Sequence, residues 1–314
     1  MVPMTRRLAL AAIAGAASFG GYVYLQRRRG KARANALYST PLAEPSGALT
    51  VFHLGHSLVG RDMPAMLAQL AGKDHRYDSQ LGWGTSLRAH WEPDVSIKGF
   101  AEENDHPRYR DAREALGSGE YDTFVLTEMV ELRDAIRYHD SARYLARWAE
   151  LAWHANPETR IYLYETWHHI DDNAGWLARI DGDLRTYWQD RVKYPALGST
   201  DAPIHLIPAG QVMAAFVRAT QALGGLDGIT TEADLFARLD DGSVDTIHFN
   251  DLGAYLVALT HYAVLYHRAP LGMPHELTRA DGTPADAPTL AVAQLMQRVV
   301  WDVVRQYPET GVAV

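Results

Sequence analysis

There is no cysteine anywhere in this 314-residue sequence. That excludes disulfides, thiolate metal sites and a cysteine nucleophile, but it says nothing of compartment, because an extracytoplasmic protein can avoid thiols altogether. Basic side chains are in deficit, with 30 Lys and Arg against 38 Asp and Glu, a formal net charge of −8. A mildly acidic chain argues against a nucleic-acid surface. No phosphate-cradling glycine loop, zinc-protease helix motif, internal repeat or low-complexity tract occurs. What is present, at 47% hydrophobic residues, suits one open α/β domain with additions.

The N-terminal segment, residues 1–34, reads as separate from that domain. Arg6-Arg7 precedes an uncharged Ala- and Gly-rich run, Leu8–Leu25, followed by Arg27, Arg28, Arg29, Lys31 and Arg33. A run of about 18 residues can just span a bilayer. Small-residue sites such as Ala14-Gly-Ala16 suggest a cleaved signal instead, but the apolar run continues beyond them to Leu25. An uncleaved membrane anchor is therefore expected. The excess of basic residues after the run favours a cytoplasmic domain by the positive-inside rule. Residues 35–48 read as a polar, Pro-containing linker, and 49–314 as the domain.

Within the domain, strand-like and helix-like stretches alternate, which argues for βαβ units and a parallel sheet. The strands are expected at Leu49–Leu54, Tyr77–Leu81, Tyr121–Leu126, Arg160–Glu165 and Ile204–Ile207. Helices are expected from Asp62, which reads as an N-cap, at Ser141–His154, Ala174–Val192, Ala209–Leu223 and Leu252–Tyr266, and from an Asp286 cap to Gln306. Glu92–Arg110 and Gly228–Ser243 read as insertions, the first a lid or flank of a cleft. Ligands in such sheets bind beyond the carboxyl ends of the strands.

Two remote stretches carry chemistry. In the first, Gly55-His56-Ser57 joins a buried strand to a helix, a turn that lifts a serine hydroxyl above the sheet edge near free N–H groups. In the second, Asp245-Thr-Ile-His248-Phe-Asn250 is expected on the loop entering a strongly apolar helix. An imidazole there can act as base to a serine, and a carboxylate three residues earlier can orient it. Gly55-x-Ser57 lacks the second glycine of the α/β-hydrolase elbow, which points away from that fold.

These residues resemble the SGNH or GDSL-type hydrolases. Gly55-His56-Ser57-Leu58 resembles the first block of that family, with His56 where Asp or Asn is common. Gly82-Trp83-Gly84-Thr85-Ser86-Leu87 resembles the second, and Asp245-Thr-Ile-His248-Phe-Asn250-Asp-Leu-Gly253 the last. The resemblance implies a three-layer α/β/α sandwich with a flavodoxin-like parallel five-stranded sheet, a Ser57–His248–Asp245 triad, and an oxyanion hole including the Ser57 and Gly84 amides. The family's third-block asparagine is missing: Thr127 or Glu128 stands there, in Phe124-Val-Leu-Thr127-Glu128. A softer likeness to carbohydrate acetyl esterases accompanies Gly84-Thr-Ser-Leu-Arg-Ala-His90-Trp91.

Trp83 and Trp167, in strand-end loops, are expected with His56 in the substrate pocket, where indole rings can stack on sugars. His168-His169-Ile-Asp171-Asp172 reads as a solvated loop with one histidine near the cleft, since neighbouring histidines on an extended segment point apart. No metal and no cofactor are expected. The function expected is a serine esterase cleaving a short acyl group, such as acetyl, from a small-molecule or carbohydrate ester. The alternatives are a membrane-anchored O-acyltransferase acting on cell-envelope polysaccharide, or a non-catalytic carbohydrate-binding relative. Relatives of this kind act outside the cytoplasm, so an inner-membrane anchor with an extracytoplasmic domain is expected despite the charge bias.

Overall fold

A computed structural model describes residues 6–313, with side chains described from Gly21 onward except Tyr22. In chain order the helices are α1 (Arg6–Leu37), α2 (Asp62–Ala71), α3 (Leu87–Trp91), α4 (Phe100–Asn104), α5 (Ala112–Ser118), α6 (Leu132–Tyr138), α7 (Ser141–Ala155), α8 (Trp176–Asp183), α9 (Tyr194–Ser199), α10 (Ala209–Ala222), α11 (Asp251–Tyr266) and α12 (Leu290–Val304). The strands are β1 (Thr50–Leu54), β2 (Arg76–Gln80), β3 (Thr123–Leu126), β4 (Arg160–Glu165), β5 (His205–Pro208), β6 (Phe236–Arg238) and β7 (Val244–Phe249).

β1 to β5 form one parallel sheet in the order β2-β1-β3-β4-β5. β1, β3, β4 and β5 are apolar along most of their length because both faces are covered, whereas β2, at the sheet edge, is mostly polar and buried only at Ser79 and Gln80. Alternation with period two sends Val51, Val125, Tyr162, Tyr164 and Ile207 into one core, with α2, α10, α11 and α12. Phe52, Leu54, Phe124, Leu126, Ile161 and Leu163 enter the other, with α5, α7 and α9. The result is the expected three-layer α/β/α sandwich.

Several boundaries differ. The Ala174–Val192 helix is composite: α8 passes into a π-helical stretch, Leu184–Lys193, before α9. The N-cap of α2 is Arg61, while Asp62 accepts from Ala280 N at 2.8 Å. Thr289 rather than Asp286 caps α12, its hydroxyl taking Val292 N, so the helix starts three residues later than the acidic cap suggested. α1 runs through the expected start of the linker and its C-terminal part joins the domain: Ala34 is buried, and Arg33 donates to Leu197 O at 2.7 Å and Asp201 O at 2.9 Å. The Leu8–Leu25 anchor expectation falls mostly on residues whose side chains lie outside the description. Among the described residues, no helix is long and apolar enough to cross a membrane.

Candidate active site

Ser57 follows β1 in the turn that leads to α2. Gly55 opens it because no side chain fits: a Cβ there would lie 2.7 Å from Thr127 Cγ2 and 2.9 Å from Val59 Cγ2. Val59 N donates to His56 O at 2.8 Å, closing a turn over Ser57. His56 is buried and fixed by Glu128 O, 2.9 Å from Nε2, while Leu58 N faces Nδ1 at 3.4 Å. Burial lowers its pKa to about 4, against the opposing pull of that carbonyl. The imidazole beside Ser57 is therefore neutral near neutral pH.

The second stretch is a strand, not the expected loop. β7 pairs antiparallel with β6, and α11 starts only after Asn250, whose carboxamide caps it through Leu252 N and Gly253 N. Asp245 Oδ1 accepts from Ile247 N and His248 N, both at 2.9 Å, which curls the chain so that Oδ2 lies 2.8 Å from His248 Nδ1. Burial pushes the Asp245 carboxyl up, but the two N–H groups and the ring outweigh it and hold the pKa below the usual carboxylate range. His248 Nε2 stands 2.9 Å from Ser57 Oγ. An ionised Asp245 takes the Nδ1–H, leaving Nε2 as acceptor for the serine proton.

These groups open into a cavity of about 1000 Å³ lined by His56, Ser57, Trp83, Gly84 and His248, among others. Gly84 follows β2 with φ +53°, a left-handed conformation that suits glycine. Neither Ser57 N nor Gly84 N has an acceptor among the described residues. Trp83 is half exposed, its Nε1 donating to Glu103 Oε1 at 2.8 Å. The Glu92–Arg110 insertion flanks the cavity through Glu103, Asp105, His106, Pro107 and Arg108.

Three expected site residues lie outside this cavity. The Thr127 hydroxyl is buried and donates to Tyr164 O at 2.8 Å. Glu128 is also buried, with Oε1 accepting from Met129 N at 2.8 Å and Leu87 N at 3.2 Å; burial raises its pKa to about 7 against those bonds. Neither side chain reaches a carbonyl bound at Ser57, so the candidate hole consists of backbone donors. Trp167 is fully buried against Phe236 and Phe249, and its Nε1 donates to Ile247 O at 2.9 Å. It supports the strand carrying His248 and does not line this cavity. His169 is the histidine near the cleft: it lines the cavity, its Nδ1 2.8 Å from Thr246 Oγ1. Tyr77 and Arg108 also line it, and the sequence reading missed both, since a strand residue on an edge and an arginine in an insertion carry no motif. Among the described residues, no cluster of His, Asp and Glu forms a metal site.

Neither a family model nor a curated protein matches this chain. Among solved structures, a DUF4886 family protein from Bacteroides uniformis superposes with a TM-score of 0.50 at 16% identity, covering 83% of this chain and 96% of that one. A protein from Parabacteroides merdae, provisionally described as a GDSL-like lipase, does so with a TM-score of 0.41 at 14% identity, over 72% of this chain and 98% of its own. At such identities the first likeness is one of fold alone.

Proposed function

We propose that this protein is an SGNH-type serine esterase working through an acyl-enzyme on Ser57. One observation carries the reading: a hydroxyl, an imidazole and a carboxylate from distant stretches form a continuous hydrogen-bonded line, 2.9 and 2.8 Å per link, at the wall of an open cavity. His248 Nε2 takes the Ser57 proton as Oγ attacks the ester carbonyl. The Ser57 and Gly84 amides donate to the oxyanion. The protonated imidazole, stabilised by Asp245, gives its proton to the departing alcohol, and the same base then activates water to release the acid.

The half-exposed Trp83 ring on the cavity wall offers an apolar stacking face to the substrate, which supports a carbohydrate ester among the small esters the cavity could take. For location, the reading is an extracytoplasmic domain tethered by Leu8–Leu25. Arg27 pairs with Asp190 and Arg33 with backbone carbonyls of the domain, so these two basic residues serve the fold rather than marking the cytoplasmic side.

The test is turnover of para-nitrophenyl acetate by the full chain, with labelling by a fluorophosphonate. Ser57→Ala is expected to abolish both while leaving the melting temperature within a few degrees. Undiminished turnover or labelling in that variant overturns the esterase reading.

A further inference from the structure

The cavity wall is asymmetric about Ser57. On the β2 side stand Tyr77, Ser79, Trp83 and Arg108; on the other stand Val130, His169 and His248, which follow β3, follow β4 and lie on β7. Of the three arginines on the wall, two are engaged. Arg61 donates to Glu102 O, and Arg279 to the Asp251 carboxylate. Arg108 differs: its side chain has no carboxylate or hydrogen-bond acceptor among the described residues, and its guanidinium lies over the Tyr77 ring, 5.1 Å from the centroid. Its backbone is held, with Arg108 O accepting from Ser79 N at 2.9 Å and Arg108 N donating to His106 Nδ1 at 3.1 Å.

A guanidinium stacked on a ring keeps the N–H groups at its edge free for an acceptor in its own plane, the geometry that suits a carboxylate. Three of the four carboxylates on the wall already have donors: Asp62 takes Ala280 N, Glu103 takes Trp83 Nε1 and Asp281 takes Thr283 N. Asp105 is exposed and makes no ion pair among the described residues. Because His248 must protonate the departing oxygen, the alcohol lies on the side of His248 and His169. The acyl part then extends over β2.

We propose, building on the esterase reading, that Arg108 is a specificity residue binding an anion carried by the acyl group, so that the substrate is an ester of a dicarboxylic or otherwise acidic acid. Tyr77 holds the guanidinium flat.

The experiment compares two para-nitrophenyl esters of equal chain length, the neutral hexanoate and the anionic hydrogen adipate, in the wild-type protein and in Arg108→Gln. The variant is expected to lose about tenfold in kcat/KM on the adipate, chiefly through KM, the scale of one charge-assisted hydrogen bond. It is expected to keep the wild-type value on the hexanoate, with Arg108→Lys intermediate. The wild-type preference for adipate over hexanoate falls as salt is raised. A second pair, para-acetoxybenzoate and para-acetoxybenzamide, moves the charge to the alcohol and is expected to be indifferent to Arg108→Gln. Equal losses on adipate and hexanoate overturn the proposal, as does a loss confined to para-acetoxybenzoate. The esterase reading fails separately, by para-nitrophenyl acetate turnover that survives Ser57→Ala.

Discussion

Asp245 holds His248 twice, once by the backbone and once by the ring. Oδ1 accepts the His248 N–H at 2.9 Å and Oδ2 lies 2.8 Å from Nδ1. One carboxylate thus fixes both where the imidazole stands and which tautomer it adopts. Asp245→Asn keeps the shape but presents an amide N–H to a nitrogen that needs an acceptor. The ring is then driven to the wrong tautomer, and kcat on para-nitrophenyl acetate is expected to fall by about three to four orders of magnitude. KM is expected to change little. A loss below tenfold removes Asp245 from the mechanism.

The two glycines around Ser57 separate folding from chemistry. At Gly84 a Cβ would meet nothing within 4 Å, but φ is +53°. Gly84→Ala therefore strains only the backbone, by about 1–2 kcal/mol, and tilts the amide that faces the oxyanion. The expected result is a folded protein with kcat lowered by about 10²-fold. At Gly55 the added methyl would meet Thr127 Cγ2 at 2.7 Å and Val59 Cγ2 at 2.9 Å. Gly55→Ala is expected to cost about 1–3 kcal/mol of stability by overpacking. Urea melts of the two variants check the contrast.

Most of the sheet was legible because β1, β3, β4 and β5 are short, largely apolar runs buried on both faces; β2 is polar and partly exposed. The expected Arg160–Glu165 strand is β4, and the other four are offset by one or two residues. The Ser57 and His248 neighbourhoods were legible because polar residues interrupt apolar runs at fixed spacing. The surroundings of Asp245 were misread as loop because β7 is a half-buried strand paired with only three residues of β6, too little to produce an alternating pattern. Trp167 illustrates a different limit. A tryptophan just past a strand end has the same sequence signature whether its ring faces the cleft or, as here, packs on Phe249 and anchors Ile247. Thr127 and Glu128 were placed by position after β3, and only the fold shows both side chains turned to buried partners.

Arg179 joins the two loops that carry the far wall of the cavity. It is buried and bonds to Glu131 at 2.9 Å, to Asp183 at 2.7 Å and to Asp172. Val130 and His169, on the wall itself, adjoin these partners. Burial alone would raise the Glu131 carboxyl, yet Arg133 and Arg179 hold it down to about 2. Arg179→Met leaves the buried Asp183 without its guanidinium and Glu131 and Asp172 with the half-exposed Arg133 alone, and a loss of about 3–5 kcal/mol is expected. Lysine cannot reach three acceptors as a planar fork does. Arg179→Lys is therefore expected to fold with a raised KM and a nearly unchanged kcat; unchanged kinetics and stability in both variants sink the assignment.

The fold also carries a store of neutral histidines, which sets its behaviour in acid. Burial lowers His56, His75, His90, His261 and His267 to about 4 and His205 to about 3. His53 is shifted the same way, buried with both ring nitrogens lacking a partner. In the unfolded chain each titrates near the ordinary value of about 6.5. Below that pH the unfolded state binds protons that the folded state refuses, so stability is full above 6.5 and declines as pH falls toward 4. Each such histidine contributes a slope of up to about 1.4 kcal/mol per pH unit in that window. Urea denaturation at pH 7, 6 and 5 is expected to give steadily lower midpoints, before most exposed carboxylates begin to protonate. His261→Leu is expected to flatten the dependence, since it removes one proton that only the unfolded chain binds. A midpoint that stays constant from pH 7 to pH 5 contradicts the neutral buried state of these rings.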